Sequence, residues 1–499
     1  MKTAAEQPPS TPRKRDRLRL RTIEPILRER HASWLELFFD LVFVFAVSQV
    51  AAILSAQAGI GGLLKYLVLF VTVWWSWVGF TFYADRFETE EYKYRILMFA
   101  GMLAVTGLAL TLGNAFSGPG DAPFIVCYVL VRTVLVTLYG RAAYHIPLAR
   151  AFGLQYVYGL GISACLLLGS LLIAPPARYA IWAVAIVLEF VTPLLNIKAA
   201  RSLPIDRLHI PERFGLFTII VLGEAVIAAA NGAASVDWNF SNVAVACLGF
   251  AMAAGIWWIN FDFVEDSAIR SPSLLQRFGY IYGHFFIVCS IVIIGVGVEH
   301  AIKETGEAHL HFSTLALLSL GIAVYLGAIT AIRLISGVCN LVYPRLAGIA
   351  VLLSILFLGG YLPPLAVVAA LLLVIAAAVW FESFYAEEHN EEETPQLIPC
   401  EHAGEMRVFR ARSGDGCEEC RKNNYKWVHL RLCLSCGHVG CCDTSVNRHA
   451  TKHFHKSGHP VIASLETGEH WAWCYEDEQF VPLARHVQVD GKSDRSARD

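Results

Sequence analysis

Residues 31–46 read His-Ala-Ser-Trp-Leu-Glu-Leu-Phe-Phe-Asp-Leu-Val-Phe-Val-Phe-Ala, and they open an apolar run that continues to about residue 55. A hydrocarbon core about 30 Å thick takes roughly 20 apolar residues of helix, because a helix satisfies its own backbone hydrogen bonds. This run is therefore long enough to span. Two carboxylates, Glu36 and Asp40, lie inside it four residues apart and share one helix face. Facing lipid they would be too costly, so they are expected to face a bundle interior or water.

Working outward, the same rule predicts spans at about 34–55, 61–84, 96–116, 123–144, 152–174, 178–198, 212–231, 240–263, 278–299, 312–333, 345–361 and 364–384. Gly359, Gly360, Pro363 and Pro364 between the last two mark either a tight outer turn or a re-entrant pair. Composition agrees with a lipid-embedded chain. Of 499 residues 56% are hydrophobic and 16% charged, against roughly 25% charged in soluble proteins. The run from Trp34 has the length of a full span and lacks a small-residue cleavage site, so no cleavable signal peptide is expected.

Basic residues resist translocation and so mark the inner loops. The arm before residue 31 holds Arg13, Lys14, Arg15, Arg17, Arg19 and Arg21, and alternate loops hold Arg86, Arg95, Arg141, Arg150, Lys198, Arg201, Arg270, Arg277 and Arg345. The opposite loops are nearly free of Lys and Arg, with Arg178 and Lys303 as exceptions. Both termini are then expected to be cytosolic in a multi-pass plasma-membrane protein. Beside a span, the basic arm reads as an anchor to anionic lipid and not as a nucleic-acid patch.

An internal duplication is also legible. Trp74-Trp75-Ser76-Trp77 recurs in kind as Trp257-Trp258-Ile259-Asn260, and His31 with Glu36-Leu37-Phe38-Phe39-Asp40 has a counterpart in His209 with Glu212-Arg213-Phe214. The C-terminal end differs, with cysteines and histidines clustered from Cys400 to Cys474 at metal-ligand density, so the expected fold class is an all-α polytopic membrane bundle of about 12 helices in two six-helix repeats, plus a small α+β zinc-binding domain. The expected divisions are a basic arm at 1–30, a membrane domain at 31–385 with repeats at about 31–200 and 209–385, an acidic linker at 386–398, a zinc finger at 399–484 and a tail at 485–499.

Further ionisable residues fall within the spans: Glu189 near the centre of the sixth, Arg132 near that of the fourth, and Glu212 and Glu224 in the seventh. One buried cation among several carboxylates implies a compensated network, because each unpaired charge costs several kcal/mol. The functional reading is an ion or proton pathway through Asp40, Glu189 and Glu224 with Arg132 as counter-charge. A static salt bridge that fixes helix register is the alternative. His284 reads as a packing residue.

The stretch from His31 to Ala46 and the stretch His209-Ile-Pro211-Glu212-Arg213-Phe214 through Val221-Leu222-Gly223-Glu224 together resemble the bacterial low-temperature-requirement A family over about residues 28–385. The resemblance implies a multispan inner-membrane protein and supplies no substrate. Phe38-Phe39-Asp40 is more remotely similar to the Phe-Ser-Asp motif of a duplicated six-helix potassium-channel family, without its Ser.

Thirteen cysteines divide unevenly: five are scattered singly through apolar segments, and eight fall between Cys400 and Cys474. The scattered ones suit helix packing. The second group, interleaved with histidines, forms a series of Cys400-x-His402, Cys417-x2-Cys420, Cys433-x2-Cys436, Cys441, His449, His453, His459 and Cys474. Thiolate and imidazole suit tetrahedral zinc, and a short domain with few aliphatic residues needs such staples to fold.

This region resembles the ubiquitin-specific-protease-type zinc finger. The resemblance implies one ion on Cys417, Cys420, Cys441 and His449, and a second on Cys433, Cys436, His453 and His459. A third would sit on Cys400, His402 and Cys474, with Asp477 where the family has another Cys. It also implies a pocket for the free Gly-Gly carboxyl terminus of ubiquitin, its aromatic positions matched by Trp427, Trp473, Tyr475 and Phe480. Asp443 stands in place of the family's carboxylate-contacting Arg, so the open alternatives are a different peptide or protein tail, or no peptide, with Trp473 and Tyr475 packing the small core. Closed zinc sites, and spans without a His-rich cluster or activated serine, point away from an enzyme. The reading is a transporter or ion-conducting protein with a regulatory or partner-docking finger. The alternative is a membrane-anchored signalling or stress-response scaffold that presents the finger. Oligomerisation is open.

Overall fold

A computed structural model describes residues 19–20, 33–88, 92–195, 209–263, 274–336, 341–390, 400, 402, 406, 410–412, 414, 416–443, 445–466, 471–477 and 479–481. The rest of the N-terminal arm, most of the acidic linker, the tail, and the loops carrying Lys198, Arg201 and Arg270 lie outside them. The chain divides into two compact units, Met1–Tyr385 and Ala386–Asp499.

The first unit is a bundle of helices. They are α1 (Trp34–Ala56), α2 (Ile60–Arg86), α3 (Tyr92–Thr111), α4 (Asp121–His145), α5 (Arg150–Ser170), α6 (Ala177–Leu195), α7 (His209–Ala234), α8 (Phe240–Phe263), α9 (Leu274–Lys303), α10 (Phe312–Ile335), α11 (Val342–Leu358) and α12 (Pro364–Asn390). Among the described residues, 12 segments are long and apolar enough to cross a membrane. They coincide with the expected spans to within a few residues at each end. Between α11 and α12 a single 3-10 turn at Gly359–Tyr361 reverses the chain, and Pro364 opens the next helix. Proline suits a first helical turn because its missing N–H has no partner there. The chain therefore reverses tightly there, between two helices each long enough to span.

The helices form where local chemistry agrees with the apolar runs. At the head of α1, Ser33 Oγ accepts the Glu36 N–H, and the Ser33 N–H donates to Glu36 Oε2 at 2.8 Å. This reciprocal pair satisfies two otherwise unpaired helix donors. Buried Thr72, Ser76, Thr218, Ser290 and Thr330 donate their hydroxyls to backbone carbonyls three or four residues earlier in their own helices, so they cost the core little.

Outer faces carry large apolar side chains such as Leu103 at 75% exposure, Leu172 at 90% and Leu373 at 69%. Such surfaces are ordinary against lipid and an aggregation hazard in water. α2 and α9 are the most enclosed spans, 78% and 72% buried, while α6 and α11 at 22% lie on the periphery. α1 and α2 pack against α7, and α1 and α2 also against α9, so the first and second six helices meet along these four. At Gly295 on α9 a Cβ would lie 2.8 Å from Ala225 Cα on α7, so only glycine permits this approach.

Among its described residues the second unit holds the helices α13 (Glu418–Lys422) and α14 (His449–Ser457) and five short antiparallel strands. Two strand residues, β1 (Arg19–Leu20), pair with β2 (Phe87–Glu88) in the first unit. In the second, β3 (Leu430–Cys433), β4 (Val439–Cys441), β5 (Val461–Ser464), β6 (Ala472–Cys474) and β7 (Gln479–Val481) are ordered β4-β3-β5-β6-β7. The core of this unit is small and includes Leu430, Leu432, Val439, Val461 and Ala463 with several cysteines. A core of that size leans on cross-links.

Candidate functional site

Asp40 is fully buried on α1. Its Oδ1 accepts from Trp77 Nε1 of α2 at 2.8 Å and from Arg213 of α7 at 2.6 Å. One turn earlier, Glu36 lies 3.6 Å from both Arg213 and His209, and His209 lies 3.4 Å from Asp85 at the end of α2. Three carboxylates, Glu36, Asp40 and Asp85, thus surround one guanidinium and one imidazole where α1, α2 and α7 meet.

Trp74, Trp77, Thr81 and Asp85 follow one another at helical spacing of three or four residues, which places them along one face of α2. Along that ladder, Asp40 Oδ2, Trp74 Nε1, Thr81 Oγ1 and Arg213 Nε are buried and make no hydrogen bond with any described residue. Buried polar atoms in native proteins are almost always satisfied, by protein or by ordered water. Arg132 Nη1, Arg333 Nε and Arg345 Nη1 are likewise buried and unsatisfied among the described residues, and ordered water is what completes such groups in native proteins.

The other expected residues are distributed differently. Arg132 and Glu189 are both fully buried and pair with each other at 2.8–2.9 Å, linking α4 to α6. Ser163 of α5 and Tyr128 also donate to Glu189, at 2.7 Å and 2.8 Å, and Arg132 donates to the Tyr128 hydroxyl. Both carboxylate oxygens are thereby occupied. The counter-charge of Asp40 is Arg213, which the sequence reading used only as part of a landmark, and Arg132 serves Glu189.

A third cluster joins Arg333 of α10 and Arg345 of α11 to Glu382 of α12, with Arg333 at 2.9 Å. Glu224 is buried on α7 and makes no ion pair with a described residue, while Glu212 is half-buried. His284 is buried among Phe214 and Tyr280, as a packing residue would be. Trp74 and Trp75 are buried, whereas Trp257 and Trp258 are 47% and 48% exposed, so the two tryptophan landmarks occupy different surroundings. Arg178 and Lys303, the exceptions to the loop-charge pattern, are both paired: Arg178 with Asp121 at 2.9 Å and Lys303 with Glu299 at 2.5 Å.

In the second unit the Cys and His series folds into three groups whose ligand atoms lie within 4.8 Å of one another. In the first, Cys417, Cys420 and Cys441 place their sulfurs 3.2–3.4 Å from His449 Nδ1, with Cys420 and Cys441 3.9 Å apart. Zinc bonds of about 2.0–2.3 Å give tetrahedral edges of roughly 3.3–3.8 Å, within a few tenths of an ångström of these spacings. At Gly440, between the second and first groups, a Cβ would meet the backbone of Ala450 at 2.5 Å, which is how β4 and α14 come close enough to share ligands.

The second group is Cys433, Cys436, His453 and His459, with Cys436 Sγ 3.3 Å from His453 Nε2. Burial pushes the Cys433 thiol up to about 11 and also raises Cys417, while burial, with His438 and His459 nearby, lowers His453 to about 4. Protonated thiols and a neutral imidazole packed together are the donor set that a dication would deprotonate and bind.

The third group is Cys400, His402, Cys474 and Asp477. His402 Nδ1 is 3.1 Å from Asp477 and 3.7 Å from Cys474 Sγ, and its Nε2 is 2.7 Å from Glu476. The hydrogen bond from the Cys400 thiol and the contacts of His402 hold the exposed Asp477 carboxyl below its ordinary value.

Beside it, Tyr475 stacks on Phe454 at 4.9 Å, and Thr451 lies between the Tyr475 hydroxyl and Asp443. Trp427 and Trp473 are half-buried, and the side chain of Phe480 lies outside the described residues.

The family model described as bacterial low temperature requirement A protein (LtrA) matches residues 31–380, and the one described as Zn-finger in ubiquitin-hydrolases and other protein matches residues 417–485. An uncharacterized protein of Rhizobium meliloti (strain 1021) is 30% identical over 344 residues, covering 64% of this chain and 81% of its own.

Ubiquitin carboxyl-terminal hydrolase 44 of Ailuropoda melanoleuca is 34% identical over 87 residues, which cover 16% of this chain and only 11% of that protein. A solution NMR structure of a Rhodopseudomonas palustris protein is 46% identical and covers 19% of this chain and 94% of that one, with a TM-score of 0.18.

Proposed function

Because the chain belongs to the bacterial low temperature requirement A family, as a multi-pass membrane protein with a zinc finger, we propose that its membrane unit carries protons, ions or a small solute along the α1–α2–α7 interface. The observation that carries this reading is the charge cluster around Asp40 together with the unsatisfied buried atoms on Asp40, Trp74, Thr81 and Arg213. A chain embedded in lipid retains buried charge where it has a partner or a purpose. Glu189 has every partner it needs and acts as a clamp. Three carboxylates around one arginine favour a cationic passenger, and Glu224 lies on the same helix as Arg213.

The two six-helix halves are read as duplicates related about an axis near the membrane normal. An arginine on the fourth helix paired to a glutamate on the sixth, in both halves, supports this: Arg132 with Glu189 and Arg333 with Glu382. Transport sites often lie where such repeats meet. Both termini are placed in the cytosol, at the inner membrane. The finger, with domain limits at about 399–484, holds zinc in the Cys417 and Cys433 groups. It docks the tail of a partner through Trp427, Trp473, Tyr475 and Phe480, or regulates the passage.

Reconstitution into liposomes tests the transport reading. Wild-type protein moves protons or at least one member of a broad panel of ions and solutes, and Asp40→Asn reduces that flux at least tenfold while eluting as wild type on size exclusion. Absence of any movement by the wild type overturns it.

A further inference from the structure

We propose that the group Cys400, His402, Cys474 and Asp477 is an exchangeable zinc site, set apart from two centres that hold their ions for structure. The inference rests on the zinc reading of the finger and adds a division of labour within it. The first two groups offer only thiolates and imidazoles, three sulfurs with one nitrogen and two with two. The third replaces a thiolate with a carboxylate oxygen, a harder donor that holds zinc less firmly beside soft ligands.

Access differs as well. In the first group Cys417, Cys420 and Cys441 are fully buried, and in the second Cys436, His453 and His459 are half-buried. In the third, beside buried Cys400 and Cys474, the side chains of His402 and Asp477 are 23% and 31% exposed, and Asp477 is the one exposed ligand of the three groups. A competing ligand reaches the third group without the sheet opening.

The third group is nonetheless built and not a remnant. With Nδ1 turned toward Cys474 and Asp477, His402 presents Nε2 to the Glu476 carboxylate at 2.7 Å. A carboxylate behind a ligating histidine fixes its tautomer and raises its basicity, and losing it costs about 10–100-fold in metal affinity. The Asp477 N–H donates to Cys474 Sγ at 3.4 Å, which favours the thiolate. Two of the four donors, Cys400 and His402, also precede the stretch that matches the finger family. Cys474 sits on β6 between Trp473 and Tyr475, so loading this site braces the aromatic residues that flank it.

The test uses the full-length protein in detergent, saturated with zinc and desalted. Zinc is counted by mass spectrometry, and its release to a chromogenic chelator is then followed. Three ions per chain are expected, one leaving at least tenfold faster than the other two. Asp477→Cys keeps three and removes the fast phase. Glu476→Gln, at an exposed side chain, keeps the two slow ions and weakens the third about 10–100-fold. Two ions per chain, three ions released at one rate, or a fast phase that survives Asp477→Cys each overturn the inference and leave the structural zinc centres standing. A chain that takes up no zinc overturns the zinc reading of the whole finger.

Discussion

Asp40 and Glu189 are both fully enclosed carboxylates paired to arginine, yet their surroundings ask different things of them. Glu189 accepts from Arg132, Tyr128 and Ser163. Removing one member of such a buried pair leaves an uncompensated charge, worth about 3–5 kcal/mol, while replacing both with apolar groups is often neutral. Arg132→Met and Glu189→Leu are each expected to lower thermal stability in detergent by that order. The double variant is expected to recover most of the loss and to keep flux, and a double variant without flux would return Glu189 to the pathway. Glu189 and Arg132 were legible as intramembrane charges, but their mutual pairing was not, because spacing along a chain does not reveal which helices touch. Arg213 was hidden for the same reason, its partner Asp40 lying 173 positions away.

Helices were the most legible scale, since the apolar runs have the length that a bilayer demands and Pro and Gly mark their ends. Helix contacts depend on small residues whose importance only packing exposes. A Cβ on Gly295 would lie 2.8 Å from Ala225 Cα, closer than one on Gly232 would lie to Glu299. Gly295→Val is expected to overpack this contact, costing about 1–3 kcal/mol, read as an earlier thermal transition; an unchanged transition would mean the helices separate freely there. In the finger, the Cys-x2-Cys knuckles were legible because each pair brings two sulfurs into one group of donors, whereas the support of His402 by Glu476 was not. Protons compete with metal for thiolates, and burial raises Cys417 and Cys433. Zinc affinity is therefore expected to fall as pH is lowered. His453, which stays neutral down to about 4, adds to the loss only in acid. Equilibrium competition with a chelator of known pH dependence measures it, and a flat profile would argue against thiolate ligands.

At the scale of the whole chain, a lipid-embedded unit and a metal-stapled unit depend on different solvents and should fail separately. Stripping zinc is expected to abolish the finger's protection from protease while the far-ultraviolet helical signal changes little. Loss of both together would show the two units to be coupled. Tags placed after Arg150 and at the C-terminus should be shielded from the outside of intact cells, and one within residues 231–239 exposed. The central claim is that a polar path follows α2 between α1 and α7. A high-resolution structure in lipid tests it most directly: ordered water or ion density within hydrogen-bonding reach of Asp40 Oδ2 and Thr81 Oγ1 is the predicted result, and a dry, tightly closed interface at those atoms would contradict it.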